Sequence, residues 1–221
     1  MTLNCNGQLI DLNTPKIMGI LNLTPDSFYD GGKYIDVENA LRQTEEMLLD
    51  GAAFIDIGAF SSKPGAEEVS EEEESRRLFP VLEKLVRKFP HALFSIDTCR
   101  SQIADESLKI GACMINDISG GKFDSKLMEV VGKHSAPYVL MHMKGSPKNM
   151  QDNPKYDDII QEMLYYFSEK VQEAYGHGIN DIIIDPGFGF GKNIDHNYEL
   201  LKNLELFHAL RLPLLVGISR K

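Results

Sequence analysis

Asp97, Asn116 and Asp185 are the residues whose types point most directly to a ligand, because each is a carboxylate or amide at the close of a short apolar run. A buried acceptor in such a place has to be satisfied by a donor. Singly, each also reads as a capping or supporting group. Three together would form a rigid, acceptor-rich floor. A heterocycle with adjacent N–H donors fits it, and an aminopyrimidinone edge is the natural match: one carboxylate accepts two parallel hydrogen bonds from it.

Four further stretches carry chemistry-bearing residues. Asn22, Asp26 and Asp30 lie in NLTPDSFYDGG and offer hard oxygens for Mg²⁺, although the same residues also make caps and turns. SSKPGA at 61–66 combines hydroxyls, the Lys63 cation and a Pro-Gly turn; it suits an anion or an ordinary loop. DPGFGFGK at 185–192 is neither GxGxxG nor GxxxxGK[ST]. Its glycines would let backbone approach a flat ligand, with Phe190 free to stack. GISRK at 217–221 places Arg220 and Lys221 beside Ser219, two cations suited to an anionic substrate. The acidic run Glu67, Glu68 and Glu71 to Glu74 reads structurally: Ser70 and Glu73 form a capping box, and first-turn glutamates favour the helix dipole.

Other chemistries lack their signatures. There is no HExxH, the six histidines have no zinc spacing, and no GxSxG elbow occurs. His142 reads as packed rather than catalytic. Cys5, Cys99 and Cys113 are odd in number and widely spaced, which argues against a disulfide framework or a thiolate zinc site. A formal net charge of −10 with no basic run disfavours nucleic acid and anionic membrane as partners. With no apolar leader and no membrane-length apolar window, a cytosolic protein is expected.

Elements must hold these residues in place. Apolar, β-branched runs at 17–23, 53–58, 92–97, 113–118, 138–143, 181–185 and 214–218 read as parallel strands covered on both faces. Helical periodicity occupies 37–50, 71–88, 102–109, 126–133, 157–175 and 198–210. Residues 3–11, with Asn6-Gly7 in the middle, read as a β-hairpin. Asn22, Asp56, Asp97, Asn116, His142, Asp185 and Ser219 fall at or just past strand ends, which favours a (β/α)₈ barrel over a doubly wound sheet. The 221 residues are expected to form one α/β domain, a TIM barrel that lacks its final β/α unit.

In this order, the motifs resemble one family, dihydropteroate synthase, the folate-pathway enzymes inhibited by sulfonamides. The resemblance spans residues 17 to 221 and rests on MGILNLTPDSFYDGG, SSKPGA, SIDT at 95–98, NDISGG at 116–121, DPGFGFGK and GISRK. It implies a (β/α)₈ barrel that condenses 6-hydroxymethyl-7,8-dihydropterin pyrophosphate with p-aminobenzoate. It assigns Asp97, Asn116, Asp185 and Lys221 to the pterin, Asn22 to Mg²⁺, and Phe28, Ser62, Pro64, Phe190 and Ser219 to p-aminobenzoate. Asp97, Lys221, Asp30 and Lys63 are the implied catalytic groups. Lys63 departs from the Arg usual in the family and keeps the charge without the planar fork, so weaker anion binding is expected. The family is commonly dimeric. If the chain were to lack its last strand, an unstable or inactive protein would be expected. Rival readings are a pterin-dependent methyltransferase barrel, a non-catalytic pterin-binding fragment and an unrelated phosphate-binding lyase barrel.

Overall fold

The computed structural model describes residues 1–23, 37–60, 69–145, 150 and 154–217. Two strands, β1 (Thr2–Cys5) and β2 (Gln8–Asp11), form the antiparallel hairpin. Asn6 and Gly7 take φ of 52° and 84°. Such a turn needs two residues that tolerate positive φ, as Asn-Gly does. The other strands, β3 (Met18–Asn22), β4 (Phe54–Gly58), β5 (Leu93–Asp97), β6 (Met114–Asp117), β7 (Tyr138–Met141) and β8 (Ile182–Asp185), pair in sequence order, all parallel. Between and after them run helices α1 (Val37–Leu49), α2 (Glu71–Lys88), α3 (Ser101–Ile110), α4 (Leu127–Lys133), α5 (Ile159–Gly176) and α6 (Ile194–Lys202), then a 3₁₀ helix at Leu204–Leu210.

Alternation along the strands divides the sheet into two faces. Leu21, Ile55, Ile57, Phe94, Ile96, Ile115, Leu140, Ile182 and Ile184 face the helices in the main apolar core. The opposite, interior face changes character along its length. Near the strand starts it is apolar: Phe54, Met114, Val139 and Ile183 pack against Leu3, Cys5 and Ile10 of the hairpin. The hairpin is tied there by Asn6 Nδ2, which donates to the Gly111 and Ala112 carbonyls at 3.3 Å each. Near the strand ends the same face carries Asn22, Asp56, Asp97, Asn116 and Asp185. One end is plugged with hydrocarbon; the other is lined with acceptors.

Three elements differ from the sequence expectation. The strand expected at 214–218 is, within the described residues, a single parallel bridge from Leu214 to Ile184. Two hydrogen bonds hold it, Ile184 N–H to Pro213 O at 3.0 Å and Leu215 N–H to Ile184 O at 2.9 Å. The helix expected at 198–210 starts earlier and breaks. Asn193 caps α6 by accepting from His196 N–H while His196 Nδ1 accepts from Asn193 N–H, so the helix begins at Ile194. It ends at Lys202, and the 3₁₀ helix follows. The capping box expected at Ser70 is half formed: Ser70 Oγ accepts from Glu73 N–H at 3.2 Å, but the Glu73 carboxylate pairs with Arg76 and Arg77. Among the described residues no helix is long and apolar enough to cross a membrane.

Candidate active site at the strand ends

Strand register builds the site. Asn22, Gly58, Asp97 and Asn116 are successive partners across β3, β4, β5 and β6, and so form one row on the interior face. Gly58 leaves a gap in that row. A β-carbon there would stand 3.3 Å from Asp97 Oδ2 and 3.4 Å from Asn22 Oδ1, so both oxygens converge on it. Asp185 stands farther round, in register with Met141 on β7. Asp56 is not at its strand's end: it lies one interior layer deeper than Gly58, and its Oδ2 accepts from Asn116 Nδ2 at 2.9 Å. Asp97 Oδ1 and Asn116 Oδ1 are shut away from solvent and have no partner among the described residues. Leaving such atoms unsatisfied costs about 1–3 kcal/mol each, which a donor supplied by a ligand would recover.

Burial dominates the electrostatics of these groups. It pushes the Asp97 carboxyl well above the usual range, and the charges of Asp56, Glu74 and Asp117 push the same way. Asp56 is also raised by burial, tempered by the Ser95 hydroxyl and the Asn116 amide. Asp185 is raised to about 6 by burial, against the pull of the Gly187 N–H and then Lys192. Carboxylates set side by side in this way are strained until N–H donors arrive.

The glycine-rich segment after β8 is fixed by a buried ammonium. Lys192, only 2% exposed, has Nζ at 2.9 Å from Phe190 O, 3.2 Å from His142 O and 3.0 Å from His142 Nδ1. Nδ1 therefore accepts, and the ring proton sits on Nε2. Burial, then the nearby Lys192, Lys122 and Lys144 charges, lower His142 to about 2, so it is neutral. Burial brings Lys192 itself down to about 7. Gly187, at φ +67°, passes so close to the His142 carbonyl that a β-carbon would collide with it. Asp185 Oδ1 accepts from the Gly187 N–H at 2.7 Å, which aims the carboxylate. Phe190, half-buried, packs against an apolar cluster of Cys99, Ile118, Met141, Met143 and Met150.

The comparisons with known proteins come to bear on this geometry. A family model described as pterin binding enzyme matches residues 18–221. The dihydropteroate synthase of Escherichia coli (strain K12) is 45% identical over 223 residues, covering 100% of this chain and 78% of the relative. A crystal structure of the Yersinia pestis dihydropteroate synthase with a sulfonamide drug complex superposes with a TM-score of 0.93 at 46% identity, covering 100% of this chain and 80% of that one. The Xanthomonas albilineans dihydropteroate synthase in complex with 7,8-dihydropteroate gives a TM-score of 0.87 at 37% identity, with 100% and 79% covered. This chain belongs to the dihydropteroate synthase family. Membership makes it a transferase of folate biosynthesis with a TIM-barrel fold, and it sets aside the methyltransferase and lyase barrels.

Of the residues that the sequence pointed to for this family, the structure brings Asn22, Asp97, Asn116 and Asp185 to the same end of one face, with Phe190 in the adjoining wall. Asp26, Phe28, Asp30, Ser62, Lys63, Pro64, Ser219, Arg220 and Lys221 lie outside the described residues. Two contributors were missed. Lys192 was visible only as the end of a glycine motif, and its partner His142 is fifty residues away. Glu74 was taken for a dipole-facing acid, yet it is 1% exposed and pairs with Arg100. Its spacing from Leu78, Val81, Leu82 and Leu85, the buried stripe of α2, was the available signal.

Proposed function

We propose that this protein condenses 6-hydroxymethyl-7,8-dihydropterin pyrophosphate with p-aminobenzoate, giving 7,8-dihydropteroate and pyrophosphate. The acceptor row carries the reading: Asp97, Asn116 and Asp185 on one face, with the buried Oδ1 atoms of Asp97 and Asn116 without a donor among the described residues. A pterin supplies ring and exocyclic N–H groups to this kind of floor. Asp185 takes two of them as a bidentate acceptor, and Asn116 takes a third. The apolar wall of Met141, Met143 and Phe190 lies beside the ring. Lys221 closes the pterin site, and Phe28, Ser62, Pro64 and Ser219 complete the arylamine pocket with Phe190, as the family pattern assigns them.

The reaction is dissociative. The C–O bond to pyrophosphate breaks, and the electron pair leaves with the oxygen. Positive charge spreads over the electron-rich dihydropterin, and Asp97, ionised once its N–H partners are in place, stabilises it. The arylamine nitrogen then bonds to the methylene carbon and loses a proton. No enzyme nucleophile is needed. Asp30, Lys63 and Lys221 complete the charge arrangement around the leaving group. The donor set fits Mg²⁺ as a shared ion: the exposed Asn22 amide offers one hard oxygen beside Gly58, and the described residues contain no cluster of three His, Cys, Asp or Glu side chains able to hold a metal alone. Bound there with substrate oxygens and water, the ion would neutralise charge on the departing pyrophosphate.

The chain works as one domain in the cytosol, where the free thiols of Cys5, Cys99 and Cys113 stay reduced. Exposed Tyr165, Tyr198, Leu201 and Leu206 on α5, α6 and the 3₁₀ helix support a homodimer.

Equilibrium binding of the pterin pyrophosphate to Asp185→Asn and Asp97→Asn tests the reading. Each variant should lose affinity by at least about tenfold, the scale of a charge-assisted hydrogen bond. Unchanged affinity in both folded variants would contradict it.

A further inference from the structure

Asp56 is a buried carboxylate on the interior face that the proposed reaction does not use. It is 7% exposed. Register sets it opposite Ser95, and Ser95 opposite Met114, so it belongs to the layer beneath Gly58, Asp97 and Asn116. Asn116 nevertheless reaches down to it, with Nδ2 donating to Asp56 Oδ2 at 2.9 Å across the intervening strand. At that level β5 contributes only the small Ser95.

An amide is planar, with its donor and acceptor on opposite sides, and rotation about its last torsion exchanges the two. A lone asparagine in the row could show a ligand either end. Asp56 Oδ2 accepts from the Asn116 NH₂, and this leaves Asn116 Oδ1 for another partner. Asn116 Oδ1 is buried and has no partner among the described residues, as is also true of Asp56 Oδ1.

We infer that Asp56 is a positioning residue: by holding the Asn116 NH₂ it fixes Asn116 as an acceptor, makes the floor accept throughout, and so selects a heterocycle that presents an N–H at that point. The inference rests on the reading of Asn116 as a pterin contact. Asp56 itself need touch no substrate.

The test measures the dissociation constant of 6-hydroxymethyl-7,8-dihydropterin pyrophosphate, with Mg²⁺, for Asp56→Leu, Asp56→Asn, Asn116→Ala and each Asp56 variant combined with Asn116→Ala. Thermal melting confirms folding. Asp56→Leu should weaken binding at least about tenfold, by releasing the amide. Asp56→Asn, whose own carbonyl can still accept from Asn116, should recover part of the loss. Neither should weaken binding further once Asn116 is alanine, because there is no amide left to orient. Losses that add in full to that of Asn116→Ala, or an Asp56→Leu protein that binds as the parent does, would overturn the inference. If Asp56→Leu does not fold, Asp56→Asn and its coupling to Asn116→Ala decide alone. An Asn116→Ala protein with unchanged binding would instead overturn the pterin assignment of Asn116 beneath it.

Discussion

A carboxylate that takes two N–H bonds from a heterocycle has to be ionised when it does so, and Asp185 is poised near that boundary at about 6. On the proposed function, a pterin bound to Asp185 stabilises the ionised form and lowers this value. Affinity should therefore be flat above about pH 7 and fall by about tenfold per pH unit well below 6. The ligand-free protein has the opposite linkage. Its Asp185 value lies above the ordinary 3.8, so the contribution to stability is full below about 3.8 and is lost as pH rises through about 6. Titration calorimetry in two buffers near pH 6 should show proton release on pterin binding, and Asp185→Asn should abolish it. An affinity independent of pH between 5 and 7.5 would contradict this. Adjacent residues show how far such assignments were legible. Asn116 and Asp117 are both polar, and alternation puts them on opposite faces. The sequence assigned Asn116 to the floor, and the structure adds that Asp117 is buried outward and satisfied by Tyr138 Oη at 2.6 Å and by the Ser119 and Gly121 N–H groups.

At the scale of elements, α2 is fastened to the end of β5 by one buried group. Glu74 accepts from Thr98 Oγ1 at 2.7 Å and from Arg100 Nη1, while Arg100 Nη2 donates to Val69 O at 2.5 Å. Arg77 on the same helix donates to Ala59 O at 3.3 Å. The described backbone is thus held at Ala59 by Arg77 of the helix and at Val69 by Arg100. Removing one partner of a buried pair strands the other charge. Arg100→Met should cost about 3–5 kcal/mol in urea unfolding, and combining it with Glu74→Gln should recover part of that. A loss under about 1 kcal/mol, the scale of an exposed ion pair, would show the pair to be peripheral. The strands, the hairpin and most helices followed from periodicity and turn chemistry, because these are local. The split after α6, the Lys192 anchor and the Glu74 pair did not follow, because each depends on a partner brought close only by folding.

Across the molecule, the interior face is sealed at the strand starts by Leu3, Cys5 and Ile10 of the hairpin, and is polar at the strand ends. Among the described residues of that face, the acceptors Asn22, Asp97, Asn116 and Asp185 stand at the polar end. The chemistry proposed for this chain falls at that end of the face. Register aligns Asn22, Asp97 and Asn116 at that end, in a chain that belongs to the dihydropteroate synthase family. The most direct measurement is to supply the chain with Mg²⁺ and 6-hydroxymethyl-7,8-dihydropterin pyrophosphate and follow pyrophosphate release with and without p-aminobenzoate. Release should depend on the arylamine, with one 7,8-dihydropteroate formed for each pyrophosphate. A folded chain that binds no pterin, or that releases pyrophosphate without forming dihydropteroate when the arylamine is present, would contradict it.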